Sequence, residues 1–113
     1  MLKGSASVRP VPVGQLHTVA RAEDVPPGSA RVVQAGEREL ALFNCDGAFH
    51  ATQSECLHMK GPLGHGRLEG CVLSCPWHGW QYDVRTGENV FDRALALETF
   101  EVVVEDGDVK IAV

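Results

Sequence analysis

Four side chains in this sequence are spaced for metal chemistry. Cys56-Leu57-His58 is followed, after sixteen residues, by Cys75-Pro76-Trp77-His78, with glycines flanking both runs. Two thiolates and two neutral imidazoles that converge on one point can share a pair of sulfide-bridged irons, with Cys₂ on one iron and His₂ on the other. Such a centre stores one electron at a time and makes no bonds. Replacing two thiolates by imidazoles removes negative charge, which lifts the potential above that of an all-cysteine cluster, to roughly −150 to +300 mV.

Three other readings of the same residues stand beside this one. Cys₂His₂ is a legitimate zinc set, but zinc-finger spacing pairs Cys with Cys and His with His, whereas here the two types interleave. A Cys–His catalytic dyad needs one pair and leaves the second unexplained. Ordinary core or surface residues do not usually fall into such an arrangement. Of the remaining histidines, His65 reads as a solvated loop residue, while His17 and His50 sit in strand-like stretches without a motif.

Composition narrows the class. The chain has 113 residues and a formal net charge of −5, with no cluster of Lys or Arg, which argues against nucleic acid and anionic membrane as partners. One domain is expected. No apolar run approaches the roughly 18–20 residues of a membrane span, so the expectation is a soluble monomer. Met1 to Val13 lacks the apolar stretch of a secretory signal and reads as a lead-in. The other two cysteines, Cys45 and Cys71, are expected to be small buried hydrophobes near strand ends, with a disulfide or a redox-active thiol as the alternatives. A reducing cytoplasm is the favoured compartment.

The elements that must position the four ligands are short strands. Apolar runs alternate with turn chemistry at close intervals, the pattern of an all-β domain. Ala22 to Gly28 is a loop or single helical turn. Ala30 to Ala35 and Arg38 to Asn44 read as strands joined at Gly36. Asp46-Gly47 then turns the chain, with Phe49 to Gln53 returning. A second hairpin at Asp106-Gly107 sets Val104 opposite Val109, Val102 opposite Ile111 and Phe100 opposite Val113, all on one face. Between the two lies a Gly-rich insert in which Arg67-Leu68, Val72 to Ser74 and Trp80 to Val84 are plausible short strands. The expected organisation is a base made by residues of about 13–53 and 89–113, carrying a cluster-binding subdomain of about 54–88. Gly61, Gly64 and Gly79 are expected to let the backbone approach the cluster and aim N–H groups at sulfur.

These residues resemble Rieske-type [2Fe–2S] ferredoxins and the Rieske domains of ring-hydroxylating oxygenases. The resemblance rests on Cys56-x-His58, Gly66-Arg67-Leu68-Glu69-Gly70, Cys75-Pro76-Trp77-His78-Gly79-Trp80 and Arg85-Thr86-Gly87, and extends over nearly the whole chain after residue 12. It implies the Rieske fold, an antiparallel β-sandwich or barrel-like base with a small cluster-binding β subdomain. It also implies one Rieske-type [2Fe–2S] cluster per chain, with Cys56 and Cys75 on the inner iron and His58 and His78 on the outer iron. Partners are then expected at the histidine edge, ringed by Trp77, Met59, Pro62 and Leu63. Trp77 can equally pack the two loops together, the role expected of Trp80.

Departures from the family pattern sharpen the expectation. The extra loop cysteines of respiratory Rieske proteins are Gly61 and Trp77 here, so no disulfide spans the cluster, and their serine is Trp80. Tyr82 occupies the position of their tyrosine, whose hydroxyl raises the potential. A value in the lower part of the Rieske range follows. The third loop, Asn89 to Ala94, lacks the family's prolines, with Phe91 as the candidate shield. The function implied is an electron-transfer protein without catalysis of its own. It carries single electrons from a flavin-dependent NAD(P)H reductase to a terminal oxygenase; the alternative is the Rieske-like small subunit of an assimilatory nitrite reductase complex. A true oxygenase needs a further mononuclear iron site, for which 113 residues leave no room.

Overall fold

The computed structural model describes residues 14–57, 60–77 and 79–113. Ten strands run in the order β1 (Leu16–Arg21), β2 (Ala30–Ala35), β3 (Arg38–Cys45), β4 (Ala48–Gln53), β5 (Arg67–Glu69), β6 (Val72–Ser74), β7 (Gln81–Asp83), β8 (Thr99–Phe100), β9 (Val102–Glu105) and β10 (Asp108–Ala112). They form three antiparallel sheets, ordered β1-β10-β9, β2-β3-β4-β8 and β5-β6-β7. Single 3₁₀ turns at Ala22–Asp24 and Leu63–His65 are the other regular pieces. The all-β expectation holds.

The two-residue turns fix the registers. Asp46 and Gly47 take φ of 54° and 98°, and Asp106 and Gly107 take 52° and 81°, the paired left-handed geometry that matches the twist of flanking strands. Cys45 therefore faces Ala48, and Glu105 faces Asp108. Val104 pairs with Val109 and Val102 with Ile111 as expected. The third expected pair does not form. Phe100 leaves that sheet to pair with Ala51, making β8 the edge of the β2-β3-β4 sheet. The break at Glu101 lets one chain segment serve two sheets. Val104 also departs from the expected buried face, being 46% exposed.

β3 is the wall that both cores share. From Leu40 to Cys45 every residue is buried, since side chains on both faces of the strand are covered. Leu40 and Leu42 point into a core with Val33, Ala35, Ala51, Val109 and Ile111, against the β1-β10-β9 sheet. Ala41, Phe43 and Cys45 point the other way, into a core that contains Cys56, Leu63, Leu73, Cys75 and Tyr82. Odd and even positions of one strand thus hold the base together and carry the region of the expected ligands.

Cys45 and Cys71 lie at the end of β3 and in the β5–β6 turn, the strand ends expected for them. They are joined by a disulfide with a Cα–Cα separation of 5.1 Å, so the alternative reading, not the expectation of free buried thiols, describes them. The bond ties the second core to the shared wall and closes 26 residues of sequence. In the chain-entropy account a loop of that size contributes about 3 kcal/mol. Replacing both cysteines by Ala should lower the unfolding free energy by about that amount, measured by urea titration against protein purified without thiol reductant.

Candidate metal centre

Two loops of the same construction present the remaining cysteines. Cys56 donates its N–H to the Gly61 carbonyl at 2.8 Å, and Cys75 donates to the Trp80 carbonyl at 2.7 Å. Each bond runs from a cysteine to the fifth residue after it. In each loop the fourth residue is left-handed: Lys60 at φ 56° and Gly79 at φ 70°. Gly79 suits that conformation, while Lys60 adopts it with a Cβ, a feature nothing in its residue type announced. The second loop joins β6 to β7. The first is held at its base by the Leu63 N–H on the Ser54 carbonyl and by a bridge between Glu55 and Pro62. His58 and His78 belong in sequence to these loops, and with Met59 they lie outside the described residues.

The two sulfurs converge. Cys56 and Cys75 are each 2% exposed and belong to the same buried core. Burial pushes the Cys75 thiol up from its ordinary range, and Cys56 adds to the rise; the Trp77 N–H, 3.4 Å from Cys75 Sγ, opposes it. Tyr82, fully buried, sets its hydroxyl 3.2 Å from Cys56 Sγ. Burial also raises the Tyr82 hydroxyl, as does Cys56, so it stays protonated and can donate.

This arrangement fits a pair of thiolate ligands to one metal ion. Bare thiolates here would be desolvated and mutually repelling, which a cation between them offsets. The surrounding donors are those a negative sulfur needs. Gly61 confirms the closeness of the backbone, since a Cβ there would lie 2.5 Å from Cys75 Sγ. Gly64 has another task than the one expected. Its missing Cβ makes room for β2, whose Val32 backbone nitrogen would be 2.8 Å away. For Gly79 the requirement is its backbone angle, because a Cβ there would meet nothing within 4 Å.

The apolar rim differs in part from expectation. Trp77 is 48% exposed and Leu57 is exposed as well, but Leu63 is fully buried in the second core. Trp80 packs against the second core, as anticipated. Phe91 is no shield. At 77% exposure it stands into solvent, on a loop that also exposes Val90 and Leu95. His65 is exposed in its 3₁₀ turn. A second group of ligating atoms, from Cys45, Asp46 and Cys71, lies within 4.8 Å of one another, but its two sulfurs are bonded together.

Residues 15–101 match the model of the Rieske [2Fe-2S] domain. Ferredoxin CarAc of Metapseudomonas resinovorans is 36% identical over 96 residues, covering 83% of this chain and 90% of the relative. The 3-phenylpropionate/cinnamic acid dioxygenase ferredoxin subunit of Photorhabdus laumondii is 36% identical over 97 residues, covering 84% and 91%. Among solved structures, a chain in the complex of reduced oxygenase and oxidized ferredoxin in carbazole 1,9a-dioxygenase superposes with a TM-score of 0.78 at 35% identity. That match covers 86% of this chain and 92% of the other.

Replacing Gly61 by Ala should displace the Cys75 sulfur or the loop, at about 1–3 kcal/mol of overpacking. Iron and acid-labile sulfide assays should show fewer clusters per chain than in the wild type.

Proposed function

The chain belongs to the Rieske [2Fe–2S] domain family, and from that premise we propose that it serves as the ferredoxin of an oxygenase system, accepting electrons singly from a flavin-dependent NAD(P)H reductase and passing them to a terminal oxygenase. It is an electron-transfer protein, not an enzyme. The observation that carries the reading is the buried pair of sulfurs in two matched loops, on a chain whose other described residues build their support. The bound cluster supplies a one-electron store; the protein fixes where that charge sits. Cys56 and Cys75 would hold one iron of such a cluster, and His58 and His78 would hold the other. The Trp77 N–H and the Tyr82 O–H point at the sulfurs and favour the reduced state.

Among the described residues no helix is long and apolar enough to cross a membrane. We place the protein in the cytoplasm as a monomer, a compartment in which the Cys45–Cys71 bond is an exception to the rule that thiols stay reduced. The half-exposed Trp77 and Leu57, one in each cysteine loop, offer apolar surface to a partner. Brief exchange with two partners in turn calls for interfaces under roughly 1,200 Å².

An absorption and EPR spectrum with and without dithionite tests the assignment. His58→Ala or His78→Ala should abolish the mixed-ligand signal, while His65→Ala should leave it intact. Stopped-flow mixing with a flavin reductase and NADH should bleach the cluster; a chain that no such system reduces is not this ferredoxin. Voltammetry should place the potential in the lower part of the roughly −150 to +300 mV span, and a value well above zero contradicts the weighting given to Gly61, Trp77 and Trp80.

A further inference from the structure

The Cys45–Cys71 bond joins the shared wall to the β5–β6 turn, and a reducing compartment works against it. The backbone on either side is held without it. Beside Cys45, the buried Asn44 donates its N–H to the Ser29 carbonyl at 3.0 Å and its side-chain Nδ2 to the Val25 carbonyl at 2.7 Å. Its Oδ1 accepts the Gly47 N–H at 2.8 Å, which closes the turn that carries Asp46. Across the gap, the Cys71 carbonyl accepts the Val84 N–H at 2.9 Å, and Glu69 pairs with Val72 around the turn. Opening the S–S bond therefore leaves two sulfurs on backbones whose Cα atoms stay near 5.1 Å apart. Asp46 is exposed in its turn, and among the described residues its carboxylate has no hydrogen bond or ion pair.

A carboxylate oxygen of Asp46 and both sulfurs lie within 4.8 Å of one another. A cellular dithiol breaks the S–S bond by giving up two electrons and two protons, which leaves two thiols here and a disulfide on the reductant. The freed sulfurs then need only swing apart to the roughly 3.7 Å that two Zn–S bonds of about 2.3 Å set in a tetrahedron. We propose that the reduced pair and Asp46 form a zinc site, with Cys45 and Cys71 as thiolates, Asp46 through one oxygen, and water in the fourth position. Binding releases both thiol protons to solvent. Two thiolates exclude magnesium and calcium, and the carboxylate disfavours a purely soft ion such as Cu(I). Burial is graded to suit entry: Cys45 is buried, Cys71 half-buried and Asp46 at the surface. The ion joins the same two chain segments as the disulfide, so the tie between the wall and the second core outlasts reduction.

The test takes the whole purified protein under anaerobic conditions, with the disulfide intact and after a phosphine reductant has been applied and removed. Each form is incubated with zinc alone, desalted, and assayed for zinc and iron. The reduced form should retain one zinc per chain and the disulfide form none. Zinc-edge X-ray absorption should show two sulfur neighbours at about 2.3 Å. Asp46→Asn keeps a residue suited to the left-handed turn. It should weaken zinc binding by at least the roughly tenfold that losing an outer-shell partner costs. Cys71→Ser should abolish uptake; should that variant fail to fold, alkylating the freed thiols of the reduced wild type must abolish it instead. A reduced form that takes up no zinc, zinc without sulfur neighbours, or binding unchanged in Asp46→Asn overturns the proposal. So does zinc gained with a matching loss of iron, which marks displacement at Cys56 and Cys75. None of these results bears on the electron-transfer reading, which the EPR signal tests separately.

Discussion

Two thiols buried against each other impose the constraint from which the rest of this structure follows. Away from water the Cys75 thiol is pushed up from its ordinary range, by burial first and by Cys56 beside it. Yet the groups aimed at the pair are donors, an N–H from Trp77 and an O–H from Tyr82. A neutral thiol does not need such neighbours; a thiolate bound to iron does. The site is therefore organised for a charge distribution that only the loaded protein has.

Holding that arrangement requires a stiff base, and β3 supplies it by being buried on both faces. Phe43 and Ala41 press the second core from one side of the strand while Leu40 and Leu42 lock its other side to the β1-β10-β9 sheet. The Cys45–Cys71 bond adds a covalent link at the same wall. A cavity opened at Phe43 is thus felt at the cysteines, since close-packed interiors transmit rather than absorb such changes.

Much of this was legible in the residues, and for identifiable reasons. Asp-Gly pairs at 46–47 and 106–107 have few conformations open to them, so they announced two hairpins and, at the second, the pairing of Val104 with Val109 and Val102 with Ile111. The paired motifs at 56–58 and 75–78 announced the metal. What escaped depends on contacts remote in sequence. Phe100 carries no sign that Ala51 will claim it instead of Val113. Leu63 looks like a rim residue until the 3₁₀ turn rotates it inward, and Gly64 serves Val32, which lies 32 positions earlier. Phe91 was expected to cover the cluster in place of prolines, but the bonds to Asn89 Oδ1 turn it outward.

The matched closure of the two cysteine loops bears on speed. Each cysteine fastens its own loop through its backbone N–H, to Gly61 or to Trp80, so the sulfur's position is set by peptide geometry and not by the metal alone. A cluster held there would gain or lose charge between loops that are already closed by their own backbone hydrogen bonds. Small nuclear rearrangement between oxidation states leaves the rate of exchange to be governed by how near a partner comes and by the difference in potential across the contact.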